Sequence, residues 1–480
     1  MLGFPVSDVR WLARRGDELA RFAESAVAAL DRSDPYLSDL LRRDLVRQRD
    51  TLMLVAAASV AHPSVIACEA AALANVTAEG YPGARYHAGS GVADEIERLA
   101  IERARRAFGA AYANVQPHSG YTANVCVITA LLKPGDTLLG LDLAAGGHLS
   151  HGSAASIIGQ QFHTVPYTVD TEGRIDYDQV AELALRHRPK LIICGASAYP
   201  RRIDFVRFRE IADASGALLL ADISHIAGLV VAGEHPSPID HAHVTTTSTY
   251  KQLFGPRGGL ILIGRDADAT APNGRMTLAQ RMQRAVFPRG QGTPNIGGIA
   301  AKARALAIVA EAPFRQVARR IVDDAATLAR VLRANGWNLV TGGTDNHMVL
   351  LSFNDAPFTG AAAERALELC GIVTNRNRVP GDKRPFDLTS GLRLGTNTLA
   401  YRGMGEAEMG RCAALLDRVL RSIRTSGGAD FLLDAAVRGE VSRAVSELCR
   451  AFPLPGYDGT RPASTAPQRP RSLLREAGVA

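Results

Sequence analysis

Val244-Thr-Thr-Thr-Ser-Thr-Tyr250-Lys251-Gln-Leu-Phe-Gly-Pro-Arg-Gly-Gly259 sets one lysine between a hydroxyl-rich run and a glycine-rich turn. Val and Thr favour a pleated strand. Gly255, Gly258 and Gly259 let the backbone turn back, and Leu260-Ile-Leu-Ile263 reads as a second strand. A lysine held at a strand end among small hydroxyls is placed like an amine that forms a Schiff base with a carbonyl cofactor. Many lysines so placed are structural, so the reading depends on the flanking chain.

Strand-like and helix-like segments alternate from 113 to 264. Strands are predicted at 137–142, 190–197, 217–222, 244–249 and 260–264, with helices at 120–133, 177–187 and 204–215. Apolar strands separated by helices predict an α/β fold with a mostly parallel sheet covered on both faces. Ligands in such sheets bind at the carboxyl ends of strands, where Asp222 and Lys251 both fall.

Further out, residues 1–55 read as an N-terminal helical arm, of the kind that packs on a neighbouring subunit. A helical face at 94–108 ends at Gly109, a suitable C-cap. The large domain is placed at 56–297. A long helical pattern at 298–335 opens a smaller α+β domain, 298–457, with a strand at 347–353, a helix at 360–370 and a strand near Arg393. Residues 458–480, rich in Pro, Arg, Ser and Ala, read as a disordered tail.

A chain of 480 residues exceeds one ordinary core, and 46% hydrophobic with 21% charged residues describes a globular protein. The net charge is +7, but the arginines are scattered in small clusters, which argues against a nucleic-acid partner. The six cysteines lie at no metal-ligand spacing, so no metal site is expected, and they read as free thiols. No signal core or membrane-length apolar run is seen, which points to a cytoplasmic protein.

Four features together would make a pyridoxal 5'-phosphate site. A helix N-terminus after small residues binds phosphate, and Ser119 and Gly120 open the helix at 120–133. An acid must keep the pyridine nitrogen protonated, and Asp222 ends its strand, with His225 three residues on. Lys251 supplies the amine. Arg393 in Ser390-Gly-Leu-Arg-Leu-Gly395 can grip a carboxylate as a fork.

At this point the chain resembles the serine hydroxymethyltransferase family, fold-type I pyridoxal phosphate enzymes. The likeness runs over roughly residues 50–455. It is carried by Ala78-Glu-Gly-Tyr-Pro-Gly-Ala-Arg-Tyr86, Ala113-Asn-Val-Gln-Pro-His-Ser-Gly120, Gly146-Gly-His-Leu-Ser-His-Gly-Ser153, Ala221-Asp-Ile-Ser-His225 and Gly342-Gly-Thr-Asp-Asn-His347. The resemblance implies that Ser119 and Gly120 hold the phosphate, His148 stacks on the cofactor ring, and Ser197 and His225 lie near its phenolic oxygen. Asp222 would pair with its nitrogen, Lys251 would be the imine lysine and Arg393 would bind the substrate carboxylate. Glu79, Tyr86, Leu143, Leu149 and Asn377 match positions that meet the hydroxymethyl group or tetrahydrofolate. The family is a homodimer with shared active sites, the neighbour supplying the loops around 77–87 and 290–293.

The departures fall on the substrate shell. Ala57-Ala58-Ser59 stands where the family has Ser-Glu-Asn. Thr77 and His87 replace tyrosines, Tyr250 replaces the histidine before the lysine, and Gly292-Thr293 replaces Gly-Gly in the phosphate loop. Each lost hydrogen bond to a charged group forfeits roughly 1.5–3 kcal/mol of orientation. His87 and Tyr250 would offer new acid–base partners. The expectation is an enzyme of specialised metabolism, such as antibiotic biosynthesis, acting on a bulky β-substituted amino acid. Its chemistry would be β-elimination from an S-conjugated cysteine or decarboxylation with deamination, ahead of the alternative of a serine hydroxymethyltransferase or threonine-type aldolase or transaldolase working by retro-aldol cleavage. The altered shell speaks against tetrahydrofolate, and the survival of Glu79 and Asn377 speaks for it. Retention of Lys251, Asp222, His148 and Arg393 argues against an inactive binding subunit.

Overall fold

The computed structural model describes residues 10–272, 274–425 and 428–457, so the tail read at 458–480 lies outside the described residues. Seven strands form the large sheet: β1 (Tyr112–Asn114), β2 (Thr137–Leu141), β3 (His163–Tyr167), β4 (Leu191–Gly195), β5 (Leu218–Asp222), β6 (Val244–Ser248) and β7 (Gly259–Ile263). Their order is β1-β7-β6-β5-β4-β2-β3. The five strands from β6 to β3 pair in parallel, while β7 runs antiparallel to both its neighbours. This is the expected α/β architecture.

Every residue of β4, β6 and β7 is buried, as strands covered on both faces must be. The register pairs Gly195 with Asp222 and Asp222 with Thr246, so three strand ends come level. Helices are stopped and started by local chemistry. Gly109 caps the helix Gly91–Phe108 in the left-handed region, and Asp204 caps Phe205–Ser215 through the Arg207 amide.

Sequence reading missed the two edge strands. β1 is three residues long, and β3 carries His163, Thr164 and Pro166, too polar to stand out as an apolar run. The single helix read at 298–335 is two helices, Ile296–Val309 and Ala312–Ala334. Pro313 sits in the first turn of the second, where its missing N–H does no harm but a continuous helix would break.

The domain limits shift accordingly. Ile296, Ile299, Ala303, Leu306 and Val309 belong to the core of the large sheet. Phe314, Ala318 and Ile321 join that core, whereas Ala325, Leu328 and Leu332 join a second one. The passage between cores therefore runs through the middle of Ala312–Ala334, not at 298. Leu52 and Leu54 also lie in the second core, because Leu52–Met53 pairs with Ile372–Val373. The stretch assigned to the arm thus ends by entering the smaller unit.

That unit holds a four-stranded antiparallel sheet: β8 (Asn338–Leu339), β9 (Met348–Ser352), β10 (Asn375–Asn377) and β11 (Gly391–Gly395), in the order β8-β9-β11-β10. Two helices, Arg10–Ser33 and Pro35–Asp50, precede it and leave Leu37, Leu41 and Leu45 exposed.

Candidate active site

Asp222 ends β5 inside the protein. Its Oδ2 accepts Asn124 Nδ2 at 2.8 Å and His151 Nε2 at 3.1 Å, and its Oδ1 accepts the Ser224 amide at 2.9 Å. Burial raises a carboxyl pKa, but the His151 hydrogen bond and the nearby imidazoles outweigh it and hold Asp222 well below the usual range. The carboxylate therefore stays ionised and aimed.

Asn124 comes from the helix Gly120–Leu131, and its own oxygen accepts the Thr246 hydroxyl of β6 at 2.5 Å. Neither Asn124 nor His151 was singled out by sequence. His151 stood inside the quoted Gly146–Ser153 segment, and Asn124 was a polar residue inside the apolar helix read at 120–133, which was the available signal. His148, His151 and Asp222 have ligand atoms within 4.8 Å of one another. The hydrogen bond between His151 and Asp222 uses those atoms on each other, and the His148 Nδ1 is turned to Ser150.

Lys251 follows β6 and is buried. Burial lowers its pKa to about 8, with Asp222 acting in the opposite sense and Arg393 and Arg257 adding to the fall. An amine so placed is a better nucleophile near neutral pH than an exposed lysine. The turn after it is tight: Phe254 has φ +50 and stacks on Tyr401 at 5.0 Å. Tyr250 lies under the Arg257 guanidinium, 3.9 Å from its ring centroid, with the Lys251 Nζ at 5.7 Å. The Ser59 hydroxyl donates to the Tyr250 carbonyl, so two of the substituted positions touch each other.

Arg393 sits in the middle of β11, buried. Its Nε donates to Asn375 Oδ1 at 3.1 Å and its Nη1 to the Ser197 carbonyl. Ser197 is thus tied to Arg393 through its backbone. Burial lowers the arginine to about 10, which leaves it charged at neutral pH. Asn397, whose role sequence reading also missed, joins the two units. Its Nδ2 donates to the Ala56 carbonyl at 3.0 Å and its Oδ1 accepts Gln252 Nε2 at 3.3 Å. The half-buried Ala57 and Ala58 are held beside this junction.

His225 is buried and stacked on His347 at 5.8 Å, and its Nδ1 has no hydrogen-bond partner among the described residues. Burial, then Lys251 and Arg393, push its pKa well down, so it is neutral. His148 is half-buried, with Nδ1 2.7 Å from the Ser150 hydroxyl, and burial lowers it to about 4. The Ser119 hydroxyl caps the helix Gly120–Leu131 through the Thr122 amide at 2.9 Å, and among the described residues the Gly120 and Tyr121 amides, at the positive end of the helix dipole, have no partner.

These residues fit pyridoxal phosphate. An ionised buried acid, an amine of lowered pKa, a helix N-terminus and an unpartnered buried imidazole nitrogen converge at the strand ends. The remaining predicted residues lie elsewhere in the chain. Thr77, Tyr86, His87, Gly292 and Thr293 are exposed, and Glu79 and Asn377 are half-buried. A Cβ at Gly292 would lie 3.3 Å from Glu79 Oε1, and Tyr86 packs on Phe287 at 5.7 Å, so the 77–87 and 290–293 loops form one cluster. No hydrogen bond joins that cluster to Lys251, Asp222 or Arg393 among the described residues. The Asn377 amide donates to the Arg378 carbonyl. Leu143 and His148 line a cavity of about 260 Å³ beyond the end of β2, and Leu149 is partly exposed.

Comparison with known proteins agrees with this geometry. The family described as Serine hydroxymethyltransferase matches residues 30–416. A serine hydroxymethyltransferase of Synechococcus sp. (strain JA-3-3Ab) is 46% identical over 444 residues, covering 89% of this chain and 97% of the relative. Those of Wolinella succinogenes and Desulfotalea psychrophila are 43% and 44% identical, each covering at least 89% of this chain and 97% of the relative. The chain belongs to the serine hydroxymethyltransferase family, and so to the fold-type I enzymes that use pyridoxal phosphate to act on amino acids.

Proposed function

We propose that this enzyme cleaves the Cα–Cβ bond of a β-hydroxy amino acid, serine first among them, and passes the released carbon to tetrahydrofolate. The observation that carries the reading is the buried Arg393, held by half-buried Asn375, beside a buried, easily deprotonated Lys251. The name shared by relatives at 43–46% identity supports aldol chemistry. It gives no support to β-elimination or decarboxylation, which led the sequence expectation, nor to setting tetrahydrofolate aside.

When bound, the cofactor supplies an electron sink for the bond that breaks. The chain does the rest. Arg393 grips the substrate carboxylate with the donors that Asn375 and Ser197 leave free, and so fixes which Cα bond faces the sink. Asp222 holds a proton at the pyridine nitrogen because His151 and Asn124 keep it anionic. Neutral His225 and His148 can each accept or donate a hydrogen bond without adding charge. In a homodimer the 77–87 and 290–293 loops would complete a neighbour's site, with Glu79 as the acid–base group for the hydroxymethyl oxygen.

A second reading is favoured by one observation. Ala57 and Ala58 carry only methyl groups, and Asn397 holds their segment through the Ala56 and Ala58 carbonyls. The same aldol chemistry would then exchange a bulkier aldehyde. The test is incubation of the holoenzyme with serine and tetrahydrofolate, and separately with longer β-hydroxy amino acids. Methylene-tetrahydrofolate at ordinary rates supports the first reading. Aldehyde release from the longer substrates alone supports the second. Elimination products without aldehyde would refute both.

A further inference from the structure

Lys302 lies on the helix Ile296–Val309 and is 3% exposed. Its Nζ donates to three backbone carbonyls: Val115 at 2.6 Å, Pro117 at 2.9 Å and Gly259 at 3.1 Å. Val115 and Pro117 belong to the segment that runs into Ser119 and Gly120. Gly259 opens β7 directly after the Lys251 loop. The same two segments meet again where the Gly259 amide donates to the Pro117 carbonyl at 2.9 Å.

The packing around the amine is built for it. A Cβ on residue 258 would lie 2.2 Å from Lys302 Cε, and one on residue 259 would lie 2.3 Å from the Ser119 carbonyl oxygen. Only glycines let the amine and the phosphate-binding segment come so close. Burial lowers the Lys302 pKa to about 7, with the charge of Glu97 opposing the fall. Three carbonyls at these distances ask for the three hydrogens of an ammonium group, since a neutral amine offers only two. No carboxylate pairs with Nζ among the described residues. A buried positive charge facing converging carbonyls is the coordination that proteins offer a hard cation.

We propose that Lys302 is a tethered monovalent cation, a positioning residue that ties the phosphate-binding segment 115–120 to the Lys251 loop and thereby sets cofactor affinity. It rests on the cofactor reading of the site. Without the amine, three carbonyls are left facing one buried space, which a potassium or ammonium ion would fill and a tetramethylammonium ion would not.

The test is titration of dialysed apoprotein with pyridoxal phosphate, followed by absorbance, in sodium, potassium, ammonium or tetramethylammonium chloride at equal ionic strength. The parent should give one Kd in all four salts. Lys302→Met should bind at least about tenfold more weakly in tetramethylammonium, with affinity restored several-fold by potassium or ammonium. Equal binding by parent and variant in tetramethylammonium, or a loss of the same size in every salt, overturns the proposal. Should Lys302→Met not fold, Lys302→Gln keeps two donors and should show a smaller loss in the same salt order; no salt order there also overturns it. A parent that takes up no pyridoxal phosphate in any salt overturns this proposal and the cofactor reading together.

Discussion

Asn375 on β10 and Arg393 on β11 face each other across the antiparallel pair, and the amide oxygen holds the guanidinium Nε at 3.1 Å. The bond fixes the plane of the fork while leaving Nη2, and the Nη1 hydrogen not given to the Ser197 carbonyl, for a ligand. Asn375→Ala should raise KM for the amino acid about tenfold or more, with a smaller change in kcat. An unchanged KM would mean that packing alone orients Arg393.

His151 keeps Asp222 anionic against a burial effect that works the other way. In His151→Phe that opposition is lost, and the Asp222 pKa should rise. The sign follows directly. Asp222 now titrates far below the neutral range, so activity above pH 5 does not sense it; in the variant the acid limb of the kcat profile should move upward. Asp222→Asn should still take up cofactor but lose at least about 100-fold in kcat. An unmoved acid limb in His151→Phe would remove His151 from this role.

Tyr250 presents its ring face to Arg257 at 3.9 Å. Tyr250→Phe keeps that seat, whereas Tyr250→Ala removes a cation–π contact of about 1–2 kcal/mol. The expected order of activity is parent, then Phe within about threefold, then Ala near tenfold lower. A Phe variant as impaired as Ala would assign acid–base work to the hydroxyl, as the sequence reading supposed.

Asp324 is buried in the second core, its Oδ2 has no partner among the described residues, and burial raises its pKa to about 7. Because the folded value lies above the ordinary 3.8, the folded state favours the protonated form. Its contribution to stability is complete below about pH 4, falls as pH rises toward 7 and is flat beyond. Between pH 5 and 7.5 the parent should lose about 2 kcal/mol more than Asp324→Asn, read from urea midpoints at the two pH values. Parallel pH curves would contradict this.

The parts of the site that chemistry forces to strand ends were legible in the sequence. Lys251 and Asp222 stand where a strand stops, Arg393 interrupts an apolar strand, and each needs a residue type that few substitutes can supply. Their supports were not legible. Asn124, His151, Asn375 and Asn397 act across 18 to 341 positions of sequence, and only the folded contacts say which atom each one meets. Helix interiors and fully buried strands were read well because their apolar content is dense. The edge strands β1 and β3 were not, since an edge needs less apolar surface. The loops at 77–87 and 290–293 carry residues of strong chemistry, yet within one chain Thr77, Tyr86, His87, Gly292 and Thr293 are exposed.

The central claim is that Lys251 condenses with pyridoxal phosphate. Holoenzyme treated with borohydride, digested and analysed by mass spectrometry should carry a pyridoxyl group on Lys251, and Lys251→Ala should carry none there and lack the visible absorbance of the parent. Colourless parent protein with an unmodified Lys251, or a label on another lysine that survives in Lys251→Ala, would contradict it.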